Sequence, residues 1–250
     1  MRIRVFDSPH DAGIYVAALA ERVIVQRPQP VLGLATGRTP IPFYEALVRL
    51  HQCGLDLSNV IAINLDEYIG LPPDHEQSYA CFMKRHLFSR TNIAPENIHI
   101  PNGVASDLAQ ECARYDAIVR RCPIDFQILG IGVNGHIGFN EPDDLLLTKT
   151  HVVDLRPETV QSNAALFERV EDVPKQAITV GMQAILQAEE IVLMAFGQKK
   201  AHIIAETVLG EIRTEVPASV LQLHKNVTVV LDKEAARDLF AADGTLRTEP

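Results

Sequence analysis

Long apolar runs are missing from this chain, and with them the means of crossing a membrane as a helix: no stretch approaches the length that a bilayer core requires. Residues 1–6, with Arg2 and Arg4 among them, are too short and too charged for a secretion signal, so the expected compartment is the cytoplasm. Closely spaced cysteine pairs are missing too. Cys53, Cys81, Cys112 and Cys122 lie far apart, two of them in stretches of helical periodicity, which points to reduced structural thiols. Positive charge is scarce: 23 Lys and Arg against 32 Asp and Glu give a formal net charge of −9, the wrong sign for a nucleic-acid partner. An anionic substrate would therefore need a site made locally positive by helix ends and a few Lys or Arg. No linker-like segment divides the 250 residues, and a hydrophobic content of 47% is ordinary for a soluble globular protein. One domain over 1–242 is expected, followed by a frayed tail over 243–250.

What the sequence does have is a run of glycines around acid–base residues. Residues 126–129 are mostly apolar and read as a buried strand, and they lead into Gly130-Ile-Gly-Val-Asn-Gly-His-Ile-Gly-Phe-Asn-Glu-Pro142. Its glycines let the backbone turn tightly enough to bring His136 and Glu141 together, while Pro142 keeps Glu141 extended. An imidazole and a carboxylate on such a loop suggest proton transfer. A metal site is the competing use of His136, Glu141 and Asp66, but His-x4-Glu on a glycine loop is not a ligand spacing, so neither metal nor cofactor is expected.

The remaining chain alternates strands and helices. A strand at 2–6 precedes a helix capped by Ser8, with Ala12, Val16, Leu19, Ala20 and Val23 as its apolar side. A second strand, 31–34, feeds Ala-Thr36-Gly37-Arg38-Thr39-Pro40 and a helix from Pro42 to about His51. Strand, small-residue turn and helix aim backbone N–H groups at one spot, although a simple capped turn fits the same residues. It is not a Walker A loop, because no Gly-Lys-Ser/Thr follows.

A third strand, 60–64, ends in Asp66-Glu67. Adjacent side chains in an extended segment face opposite ways, so only one of the two can enter a shared site. Helices follow over 78–87 and, capped by Asp107, to about Arg121, with a short strand at 98–100 between them. Downstream, the pattern gives a strand at 150–155, helices at 157–166 and 180–188, and strands at 191–196, 216–223 and 227–231. Lys199 and Lys200 begin a helix after Gly197. Cations there oppose the helix dipole, by about 0.3–1 kcal/mol each when exposed, which makes better sense with an anion between them. This is the α/β pattern of a doubly wound, Rossmann-like, mostly parallel sheet in a single domain, with helices on both faces. Gly33, Asp66, Gly130 and Gly197 then meet at one sheet edge.

Four segments in this order resemble the glucosamine-6-phosphate deaminases, the isomerase-type sugar-phosphate deaminases of amino-sugar catabolism. They are Leu32-Gly-Leu-Ala-Thr-Gly-x-Thr-Pro40, Asn64-Leu-Asp-Glu-Tyr-x-Gly-Leu71, the loop from Leu129 to Pro142, and Leu221-Gln-Leu-His224. The related 6-phosphogluconolactonases share the fold and the Thr-Gly turn but not the Asn-Gly-His run. The resemblance implies conversion of an amino-sugar phosphate to a ketose phosphate and ammonia. It gives His136 the role of base for ring opening, oriented by Glu141 with Asn134 completing the set. Asp66 becomes the base that moves a proton between carbons, with Glu67 as its neighbour in the substrate-binding group. The phosphate falls on Thr36, Gly37, Arg38 and Thr39, with Lys200 as its cation.

Three departures stand out. Arg38 occupies a position where the family usually has glycine, and Ala165 one where it usually has a phosphate-binding Arg. We therefore expect Arg38 to supply the missing charge. Residues 143–150 also depart from the family run that carries effector contacts, so that regulation is expected to be absent. Alternative readings are a deaminase for another phosphorylated sugar, such as galactosamine 6-phosphate, and a sensor that binds a sugar phosphate without turnover. The partner is in each case a small phosphorylated sugar, with no nucleic acid or membrane, and the chain is expected as a monomer or homo-oligomer.

Overall fold

The computed structural model describes all residues except Ala165, Leu166, Ala242 and 248–250. In chain order the elements are β1 (Arg2–Phe6), α1 (Pro9–Gln26), β2 (Val31–Leu34), α2 (Ile41–Gln52), β3 (Ile61–Asn64), β4 (Asp66–Tyr68), α3 (Tyr79–His86), β5 (Ile98–His99) and α4 (Leu108–Arg121). The second half contributes β6 (Phe126–Leu129), β7 (His151–Asp154), α5 (Pro157–Asn163), β8 (Gln176–Thr179), α6 (Met182–Leu186), β9 (Glu190–Ala195), α7 (Ala201–Leu209) and β10 (Val227–Asp232). Capping follows the residue chemistry: Ser8, Ser78 and Asp107 accept from the amides of Asp11, Cys81 and Gln110 at 3.1, 3.0 and 2.9 Å.

Seven strands form one sheet in the order β1-β10-β9-β6-β2-β3-β5, parallel at every pairing. Its inner strands β2, β3, β6 and β9 are buried along their whole length, which is why they read as mostly apolar runs and not as alternations. From β2 the chain proceeds outward through β3 and β5, whereas from β6 it proceeds the other way to β9 and β10. The connections that leave the carboxyl ends of neighbouring β2 and β6 thus run in opposite directions, which opens the crevice where such sheets hold ligands.

A smaller antiparallel sheet, β4-β8-β7, stands at this edge. It is tied to the main sheet through Leu65, whose amide donates to Leu34 O and whose carbonyl accepts from Val180 N. Beneath it Tyr68, Phe139, Leu155 and Ala177 make a core of their own, separate from that of the large sheet.

The strand expected over 216–223 is instead a 3-10 turn, Pro217–Leu223. Pro217 has no N–H to give a ladder, and the Ala218 amide donates to Gly135 O at 2.9 Å, so the segment braces the glycine loop. The expected helix over 180–188 shortens to Met182–Leu186, preceded by the unforeseen strand β8. The helix expected over 157–166 is described only to Asn163, and position 165 lies outside the described residues. Of the tail expected to fray, 248–250 also lie outside them; within it, the Arg247 amide donates to Leu239 O and Phe240 bridges to Leu246.

Candidate active site

The loop after β6 builds the acid–base group. His136 Nδ1 lies 3.3 Å from Glu141 Oε2, and the same oxygen accepts from Asn134 Nδ2 at 2.7 Å. Burial pushes the Glu141 carboxyl up, but bonding to His136, then Thr159 and Asn134, outweighs it and leaves the group below its ordinary value. Glu141 is thus held ionised, as an orienting partner for an imidazole must be. Gly132 makes the seat: a Cβ there would lie 2.4 Å from His136 Nδ1 and Cε1. Gly132→Ala is accordingly expected to displace the ring and lower kcat by about 10²-fold, the scale of a 1 Å misplacement, with the fold retained by circular dichroism.

Asp66 and Glu67 separate as the extended backbone requires. Asp66 is 6% exposed and lines a cavity of about 260 Å³ together with His136, Tyr79, Gly138 and Phe139. Its carboxyl is pushed up to about 8, first by burial and then by the neighbouring Glu67 charge. Glu67 turns the other way. Its Oε1 accepts from the Tyr68 and Tyr79 amides at 2.8 and 2.9 Å and its Oε2 from Ala80 N at 2.9 Å, capping α3. Burial nevertheless raises its pKa. Glu67, expected among the substrate-binding residues, is not among those that line the cavity; three backbone amides hold its carboxylate instead.

The same cavity is lined by Thr36, Gly37, Arg38, Thr39 and Lys200. Gly37 takes φ +90°, a left-handed turn that suits glycine. Among the described residues, no acceptor engages the amides of Gly37, Arg38 or Thr39. Lys200 reaches in from the start of α7, donating to Ile131 O at 2.6 Å, and burial depresses its amine to about 8. Arg38 stands exposed at the rim, and Lys199 points to solvent.

Four side chains here had no signal in the sequence. Tyr79 lines the cavity between Tyr68 and Phe139, with ring centroids 4.7 and 5.9 Å away. Ser162 and Asn163 reach the cavity from α5, and Thr159 Oγ1 lies 3.3 Å from His136 Nδ1. None belongs to a motif; only the fold brings α5 across the loop. His224, by contrast, sits in a family-like segment but is structural: its Nε2 contacts Ala188 O at 2.8 Å and its Nδ1 accepts from Asn226 N.

Fold and site together define a doubly wound α/β protein whose crevice joins an imidazole–carboxylate pair, a second buried carboxyl and a turn of free amides beside a lysine. The chain belongs to the glucosamine-6-phosphate isomerase/6-phosphogluconolactonase family, whose profile matches residues 8–230. It is 52% identical over 222 residues to a glucosamine-6-phosphate deaminase of Thermoanaerobacter sp. (strain X514), covering 88% of each chain. With the glucosamine-6-phosphate deaminase of Halothermothrix orenii it shares 48% over 238 residues, 94% of this chain and 99% of that one. The solved structure of a monomeric glucosamine-6-phosphate deaminase matches with a TM-score of 0.93 at 42% identity, over 95% of this chain and 100% of that one. A 6-phosphogluconolactonase from Trypanosoma cruzi, 21% identical over 96% of this chain and 97% of that one, shares the fold with a TM-score of 0.76.

Proposed function

We propose that this chain is a glucosamine-6-phosphate deaminase, converting glucosamine 6-phosphate and water to fructose 6-phosphate and ammonia. The observation that carries the reading is that Asp66 and the Glu141-oriented His136 line one cavity together with the turn at 37–39 and Lys200. The reaction needs two proton-transfer centres, and the cavity has two. His136 takes the proton of the anomeric hydroxyl and returns one to the ring oxygen, which opens the sugar. Asp66 removes the C2 proton and delivers it to C1 while a proton of the substrate ammonium passes to the C1 oxygen, which leaves an iminium at C2; water adds to that carbon and ammonia leaves, giving the ketone. The phosphate rests on the amides of 37–39 with Lys200 beside it. Ammonia release from glucosamine 6-phosphate tests the reading. Thermal stabilisation by the sugar phosphate without turnover would replace it with a sensor, and turnover of galactosamine 6-phosphate alone would replace the substrate.

Arg38 is assigned as a further phosphate contact at the rim. Arg38→Gly is expected to raise KM about threefold to tenfold, a modest effect because the guanidinium is exposed, with kcat little changed. An unchanged KM would remove Arg38 from the site.

Two groups with shifted ionisation frame the pH dependence. Asp66 must be ionised, so kcat/KM rises with pH through its value of about 8; Lys200 must be charged, so kcat/KM falls above its value of about 8. The expected profile is a narrow bell. Lys200→Arg, whose cation does not titrate in this range, is expected to move the alkaline limb upward; an unmoved limb would exclude Lys200 as its source.

We assign the enzyme to the cytoplasm, which suits an amino-sugar phosphate substrate and four free thiols. No described helix is long and apolar enough to cross a membrane. The similar solved deaminase is described as monomeric, which supports a monomer here.

A further inference from the structure

We propose that Thr159 is a positioning residue for His136, fixing the imidazole with its proton on Nδ1 and Nε2 left as the base. Thr159 is 2% exposed on α5, and its Oγ1 lies 3.3 Å from His136 Nδ1, the same nitrogen that faces Glu141 Oε2 at 3.3 Å. Thr159, the third residue of α5, turns its hydroxyl to the His136–Glu141 pair, where its bond to Glu141 also helps to hold that carboxyl ionised.

An ionised carboxylate has no proton to give, so the ring nitrogen beside Glu141 carries the hydrogen. Thr159 Oγ1 then accepts from the same N–H, and two acceptors on one side hold both the tautomer and the plane of the ring. Nε2, to which no described residue offers a partner, is the basic atom. The opposite tautomer would place a proton where the substrate hydroxyl must deliver its own.

Helix α5 also sets Ser162 and Asn163 along the cavity, and Asn163 Nδ2 donates to Tyr68 OH at 2.7 Å on the strand that carries Asp66. Thr159 therefore ties the ring-opening base to the element that joins it to the Asp66 strand. No local pattern in the sequence marks this role.

The kinetic arm of the test rests on the deaminase reading; the spectroscopic arm does not. In Thr159→Val, nearly isosteric, kcat is expected to fall about tenfold with KM within about twofold, while Thr159→Ser recovers at least about half of the wild-type kcat. Long-range ¹⁵N–¹H imidazole spectra should show the Nδ1-protonated tautomer in the wild type and the Ser variant, and a mixture in the Val variant. Should the Val variant not fold, Thr159→Ala carries the same expectations. A folded variant without the hydroxyl that keeps the wild-type imidazole pattern overturns the proposal, as does a Ser variant no better than Val. If the wild type releases no ammonia, the deaminase reading fails while the spectra still decide the role of Thr159.

Discussion

Asp66→Asn is expected to lower kcat by about 10²–10⁴-fold, the range that a general base contributes, with KM changed little because size and shape are kept. The residue is suited to carbon-acid chemistry by its burial. A carboxylate pushed up to about 8 is a far stronger base than one in water, and the ammonium of the bound substrate can offset the cost of ionising it. The signature of its role is isotopic: wild-type enzyme should exchange the C2 hydrogen of the substrate with solvent deuterium, and the variant should not. Stability is expected to move the other way. The folded pKa lies above the unfolded one, so ionisation of Asp66 costs stability that sets in above about pH 4 and is complete above about pH 8. The asparagine variant should therefore melt higher than wild type at neutral pH, by a margin that shrinks on acidification. Undiminished turnover with an intact melting curve would assign the carbon-acid step elsewhere.

His136→Gln is expected to cost about 10²–10³-fold in kcat, with a different residual behaviour. Asp66 stays in place, so the variant can still process whatever open-chain sugar the solvent supplies. At high enzyme concentration its rate should become limited by uncatalysed ring opening and independent of enzyme, whereas the Asp66→Asn rate should remain proportional to enzyme. Proportionality in both variants would mean that His136 does not open the ring.

Much of this site was legible in the sequence because each part is local. The loop at 130–142 concentrates its glycines and its acid–base pair within one turn, and Asp66-Glu67 obeys the alternation of any extended segment, which already limited the cavity to one of them. The parallel strands declared themselves as apolar runs. What escaped was made by tertiary pairing. Strand β8, Gln176–Thr179, has little strand character of its own and exists through its partners β4 and β7. Residues 216–223 are apolar enough to read as a strand, yet Pro217 and the Gly135 carbonyl turn them into a brace. Thr159 and Tyr79 are ordinary residues of ordinary helices until the fold lays them against the loop.

The pairing of β2 and β6 also bears on how activity arises during folding. The amide turn and the acid–base loop are brought side by side by the pairing of Leu32 with Phe126 and of Gly33 with Gln127, residues far apart in the chain, and parallel pairing of such separation is slow to form. Turnover recovered after denaturation is therefore expected to report this long-range pairing and to return no earlier than the secondary structure does.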